Sequence, residues 1–130
     1  MISIYIIFFI LLVQKSHYYH EFLCYYKNVL NMKINVFNSP NYSTKTRAKK
    51  NIKFIVIHYT GMQSERVCIK RLTNSKSKVS AHYLISREGK TIKMVDEKNS
   101  AWHAGKSKWK NFTDLNDHSI GIELVNKGHQ

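Results

Sequence analysis

The order of apolar runs along this chain predicts a mixed α/β sheet. Three observations carry that expectation. A compact apolar run, "FIVIHY", is followed at once by an amphipathic stretch, "ERVCIKRLT". A hairpin pattern, "VSAHYLISREGKTIKMV", comes next. A last apolar stretch, "HSIGIELV", follows a long polar segment. Strand, helix, hairpin, loop and strand do not suit a helical bundle or a β-sandwich.

Each element has a local reason. Residues 53–58 form a short, nearly continuous apolar run, the pattern of a buried strand. Ser64 is a natural cap for a helix over about 65–74, with Glu65 in its first turn and basic residues later. Cys68, Ile69 and Leu72 share one face of that helix, so Cys68 reads as a small core residue. "SKSK" then breaks the pattern. Residues 80–86 and 91–95 are the hairpin strands, and Gly89 in "REGK" supplies the turn residue that tolerates positive φ. "DEKNSAWHAGKSKWKNFTDLND" is long and polar, and long loops are often functional. Residues 118–125 form the next strand, where Gly121 permits a close backbone approach.

Length and composition fit one globular domain of 130 residues, with 43% hydrophobic and 22% charged residues. The formal net charge of +13 favours anionic partners such as nucleic acid, acidic lipid or a cell-wall polymer. No nucleic-acid motif or arrayed Arg/aromatic platform accompanies that charge, so nucleic acid is not an expected partner. The densest basic run, "KTRAKKNIK", lies in a loop punctuated by Asn, Ser and Pro and reads as a solvated face. Two cysteines in unrelated contexts make neither a disulfide framework nor a CxxC zinc site.

The N-terminus differs in kind. "MISIYIIFFILLV" is shorter than the roughly 20 residues that span a bilayer. It has the length of a signal-peptide core but lacks a preceding Lys or Arg and a following small-residue cleavage site. Residues 1–31 are therefore expected to be either an upstream segment of a mis-assigned start, with translation beginning at Met32, or a membrane anchor. The first reading implies a cytoplasmic protein. The second implies the cell envelope, with membrane association through residues 1–13. The domain expected to fold is 32–130, and it keeps the basic character without the first segment.

Three segments carry candidate chemistry. His58 ends the first strand, where open α/β sheets place their sites. "AWHAG" puts Trp102 and His103 in the polar loop, and Glu123 is a lone carboxylate among apolar neighbours. Each also has a structural reading. His58 could be a hydrogen-bonded core histidine, Trp102 a packed indole, and Glu123 a solvent-facing residue opposite Ile120, Ile122 and Leu124.

In this order, "FIVIHYTGM", "VSAHYLISREGKTIKMV", "AWHAG" and "HSIGIELVNKGH" together resemble the zinc-dependent N-acetylmuramoyl-L-alanine amidases of the type-2 amidase family. These are relatives of peptidoglycan recognition proteins and phage lysozyme-type amidases. The likeness covers residues 35–129. It implies a mixed central β-sheet flanked by helices, a bound Zn²⁺, and a peptidoglycan or muropeptide substrate. It implies His58 as the first zinc ligand and Glu123 as the catalytic carboxylate. Trp102 and His103 would lie in the loop lining the substrate groove, with Tyr59 as a further groove wall and His82 in a structural role. The reaction implied is hydrolysis of the amide between N-acetylmuramic acid and L-alanine. Zinc would acidify a water and polarise the scissile carbonyl, and the carboxylate would move the proton.

The family takes its remaining ligands, a His and an Asp with a nearby Lys, from a later segment than any present here. The resemblance therefore implies the front part of an amidase domain, incomplete at the C-terminus. His82, His103, His118 and His129 do not show the close spacing of a local zinc site. Two alternatives stand beside the enzyme: a non-catalytic peptidoglycan-binding module or inactive truncated remnant, and a basic membrane-associated peptide resting only on charge and residues 1–13. The missing cover of later helices would leave apolar sheet surface exposed.

Overall fold

A computed structural model describes residues 34–128. They belong to one compact unit, Ile34–Gln130, so the expectations for residues 1–31 and for His129 lie outside the described residues. Among the described residues, no helix is long and apolar enough to cross a membrane.

The centre is a five-stranded mixed sheet. Its strands are β1 (Asn35–Val36), β3 (Phe54–Tyr59), β4 (Tyr83–Ile85), β5 (Thr91–Lys93) and β9 (Ser119–Leu124), in the order β1-β5-β4-β9-β3. β3 and β4 run parallel to β9, β4 and β5 form the antiparallel hairpin, and β1 joins parallel to β5. Four short strands make two small ribbons: β2 (Tyr42–Ser43) with β6 (Ser100–Ala101), and β7 (Lys108–Trp109) with β8 (Phe112–Thr113). The sequence did not mark these ribbons, because two-residue strands carry no period that could be read.

Helix α1 (Glu65–Thr73) begins where Ser64 accepts a hydrogen bond from the Val67 N–H at 3.4 Å. It buries Cys68 and Leu72 against Leu84, Ile92, Met94 and Val125. Burial of a side chain such as Leu84 contributes about 1.5–3 kcal/mol, so this cluster dominates the stability of the unit.

Strand register sorts the sheet into two faces. Phe54, Val56 and His58 pair with Ser119, Gly121 and Glu123, and Glu123 pairs in turn with Leu84 and so with Ile92. That face carries α1 and the candidate site. Ile55, Ile57 and Tyr59 pair with Ile120, Ile122 and Leu124 on the other face. There Ile55 is 66% exposed, Ile57 64% and Tyr59 58%. The buried strand expected at 53–58 is thus half-buried on one side and exposed on the other, and among the described residues α1 flanks only one side of the sheet.

Candidate active site

His58 and Glu123 are register partners near the carboxyl ends of the parallel strands β3 and β9, so both side chains rise from the same face. Glu123 does not face solvent as the structural reading allowed. Its Oε2 is buried and has no hydrogen-bond partner among the described residues, and burial raises its pKa above the usual carboxylate value. Burial also lowers the pKa of His58.

His103 reaches this pair from the loop after β6. The loop is tied at Trp102 and again at His103 and Ala104. Ser80 N–H donates to the Trp102 carbonyl at 2.9 Å, and Trp102 N–H donates to Ser80 Oγ at 2.9 Å. Asn116 Oδ1 then accepts from the N–H groups of His103 at 3.0 Å and Ala104 at 2.8 Å. The imidazole of His103 lies against Gly121, where a Cβ would stand 2.3 Å from its Cγ. Only glycine admits the ring at that distance. Nδ1 of His103 lies 3.2 Å from His58 Nε2, and its Nε2 lies 3.2 Å from Ser119 Oγ.

Beneath this ring is a buried buttress. His82 is fully buried and grips Gly121 twice: its N–H donates to the Gly121 carbonyl at 3.0 Å, and its Nδ1 accepts the Gly121 N–H at 2.9 Å. Its Nε2 is flanked by the Asn99 carbonyl at 3.1 Å and Arg47 Nη2 at 2.7 Å. Arg47 also donates to the carbonyls of Glu97, Asn116 and Ser119 at 3.0, 2.8 and 2.8 Å. Burial pulls His82 down to about 4. Burial, with the charges of His82, His58 and Arg47, pulls His103 down to about 3. Both imidazoles are therefore neutral near pH 7.

The structure does not bring every expected residue here. Tyr59 is a correction: strand alternation puts it on the sheet face opposite His58, beside Gly128. Trp102 is half-buried in the site loop, with Lys78 Nζ 5.9 Å from its ring centroid. His118 packs edge-on against Phe112, away from His58. Arg47 was read as part of a solvated basic run, yet it is 9% exposed. Its signal was chemical: it is the one arginine in that run, and a planar guanidinium can bind several carbonyls at once. Ser119, Gly121 and Glu123 alternate along one strand face. A small, small, acidic row is the trace that could have located the ring of His103.

Among the described residues, no group of three or more His, Cys, Asp or Glu is arranged to hold a metal ion. His58 fits as a single ligand, and its neighbours fit as the supports of that ligand. Among the described residues its Nδ1 has no hydrogen-bond partner, while its Nε2 meets His103.

A family model described as N-acetylmuramoyl-L-alanine amidase matches residues 48–130. The chain belongs to this family. It is 41% identical over 90 residues to the N-acetylmuramoyl-L-alanine amidase AmiD of Escherichia coli, covering 64% of this chain and 32% of that one. It is 49% identical over 47 residues to the 1,6-anhydro-N-acetylmuramyl-L-alanine amidase AmpD of the same organism, covering 36% of this chain and 26% of AmpD. The solved complex of E. coli AmiD with anhydro-N-acetylmuramic acid-L-Ala-D-γ-Glu-L-Lys superposes with a TM-score of 0.54 at 40% identity, over 67% of this chain and 37% of AmiD. The chain thus spans a third or less of the length of these two curated relatives.

Proposed function

We propose that this chain supplies the first part of an amidase active site that hydrolyses the bond between N-acetylmuramic acid and L-alanine in peptidoglycan or muropeptides. The observation that carries the reading is the pairing of His58 with Glu123 across two parallel strands, with Glu123 Oε2 buried and unpartnered. A zinc ion held in part by His58 would supply an acidified water and polarise the scissile carbonyl. Glu123 is suited to the proton work. Its raised pKa makes it a stronger base than an exposed carboxylate, able to take a proton from water and hand it to the leaving amine. The loop of Trp102 and His103 would line the groove. The AmiD complex supports an anhydro-muropeptide as the ligand class and a place in peptidoglycan recycling.

The test is release of the stem peptide from an anhydro-muropeptide by the protein translated from its gene, read by mass spectrometry. Glu123→Gln is expected to cut the rate by 10²–10⁴ while zinc stays bound, since that is the usual worth of a general base. His58→Ala is expected to lose the zinc. A full rate in Glu123→Gln would remove the carboxylate from the mechanism. The same substitution should raise the melting temperature at pH 7, because it deletes a buried charge. Binding without hydrolysis by the unaltered protein would favour a peptidoglycan-binding module.

A further inference from the structure

The proton arrangement of the site can be read from one hydroxyl. Ser119 Oγ lies 2.6 Å from the Leu115 carbonyl and gives that oxygen its only proton. The His103 Nε2 at 3.2 Å can then only donate to Ser119 Oγ. The His103 ring is packed between His58 and His82, with Arg47 behind, and no carboxylate among the described residues bonds to it. It holds one proton, already placed on Nε2, so its Nδ1 is a bare acceptor. His58 Nε2, 3.2 Å away, must supply the hydrogen to that acceptor.

We infer that Ser119 and His103 are positioning residues that fix the tautomer of His58, holding the proton on Nε2 and leaving Nδ1 as the atom offered to a ligand. The relay runs His58 Nε2–H to His103 Nδ1, His103 Nε2–H to Ser119 Oγ, and Ser119 O–H to the Leu115 carbonyl. Its use in catalysis rests on the proposed role of His58 as a metal ligand. Metal-bound histidines commonly have their second ring nitrogen held by an acceptor that sets ring orientation and basicity, and losing such an acceptor usually costs 10–100-fold in metal affinity. Here that acceptor is a second imidazole, seated by a glycine and oriented by a serine. Gly121 gives the ring its place, and Asn116 holds the backbone that delivers it.

The experiment is imidazole ¹⁵N NMR on the labelled 130-residue chain without metal, near neutral pH. The readout is the ¹⁵N–¹⁵N coupling across the hydrogen bond between His58 Nε2 and His103 Nδ1, with the proton assigned to His58. The expected result is a detectable coupling with both rings in the Nε2–H form. Absence of the coupling, or a proton on His103 Nδ1, overturns the relay. Ser119→Ala is expected to lower the coupling at least two-fold by releasing His103, and Ser119→Thr, which keeps the hydroxyl, to retain it. An unchanged coupling in Ser119→Ala overturns the part assigned to the serine. If Ser119→Ala does not fold, the unaltered chain still decides the direction of the bond. Zinc chloride is then titrated. Perturbation of His58 Nδ1 with its Nε2 proton kept is expected, and attack at Nε2 overturns the inference. An intact coupling with no response of His58 at zinc concentrations that saturate a free imidazole would instead overturn the reading of His58 as a ligand, which separates the two failures.

Discussion

The two faces of the central sheet are made from the same strands and could hardly differ more. On one, α1 buries Cys68 and Leu72 against Leu84 and Ile92, and beside them lie His58, His82, Gly121 and Glu123. On the other, Ile55, Ile57, Tyr59 and Leu124 remain exposed. Residue hydrophobicity does not sort them: the exposed row of β3 is more apolar than the row that carries the site. What separates the faces is where α1 and the loop of His103 land. Apolar side chains supply packing, while a site needs polar groups held in place by partners that are themselves buried.

That contrast is most sharply broken at Leu84, which is fully buried. Leu84→Ala should cost about 2–5 kcal/mol in chemical denaturation, the range for a leucine cavity in a packed core. A cost below 1 kcal/mol would mean that the covered face is not the core.

Acid should act on the same face. His82 has a pKa of about 4 in the folded chain against 6.5 for the unperturbed side chain. Between those values the unfolded chain takes up a proton that the folded chain refuses, so stability falls as pH drops. The contribution is complete above pH 6.5 and is lost progressively toward pH 4, amounting to about 3 kcal/mol from this residue. His103, at about 3, acts in the same direction, and Glu123, with its raised pKa, acts in the opposite one. Denaturation curves taken from pH 8 to pH 4 should therefore show a net loss that begins near 6.5. A flat profile that persists in Glu123→Gln, where the opposing carboxylate is gone, would mean that the His82 ring is not held neutral.

Gly121→Ala tests the seat of the site. The added methyl would lie 2.3 Å from His103 Cγ, so the ring must move or β9 must shift. Overpacking of this kind costs about 1–3 kcal/mol. Muropeptide hydrolysis should fall further than the stability change alone accounts for, because the displaced ring is the one that contacts His58. Unaltered hydrolysis would show that the seat of His103 does not matter to the chemistry.

Much of the framework was legible in the sequence, and the site only in part. β3, α1 and β9 were expected at 53–58, 65–74 and 118–125, and they occur at Phe54–Tyr59, Glu65–Thr73 and Ser119–Leu124. Apolar periodicity and a serine cap suffice for elements of that length. The hairpin strands are shorter than expected, Tyr83–Ile85 and Thr91–Lys93, with single backbone bonds from Ser86 to Lys90 and from Met94 to His82 carrying the pairing one step further at each end. His58 and Glu123 could each be singled out, but their pairing is a matter of register across 65 positions of chain, which no local pattern encodes. Arg47 escaped for the same reason: its carbonyl partners Glu97, Asn116 and Ser119 are distant in sequence. Tyr59 was misplaced because closeness to His58 in sequence is not closeness in the site: consecutive strand residues point to opposite faces, and Tyr59 falls on the face away from His58.

The smallest expected effect lies on the open face and is the most telling partner to Leu84. Ile57 is 64% exposed in β3, an edge strand of the described sheet. Threonine keeps the β-branched shape that suits a strand while removing apolar surface. Because little of the isoleucine is buried, Ile57→Thr should change stability by no more than about 0.5 kcal/mol, as for surface positions in general. The affinity for an apolar dye should fall, since Ile57 is central to the exposed row formed with Ile55 and Tyr59. Dye titration alongside denaturation separates the two quantities. A loss of stability close to that of Leu84→Ala would show that Ile57 is covered in solution, and the two faces would then be equivalent in packing though not in chemistry. A small loss with weaker dye binding would leave the asymmetry in place: one face closed around its histidines, the other still presenting hydrophobic side chains to water.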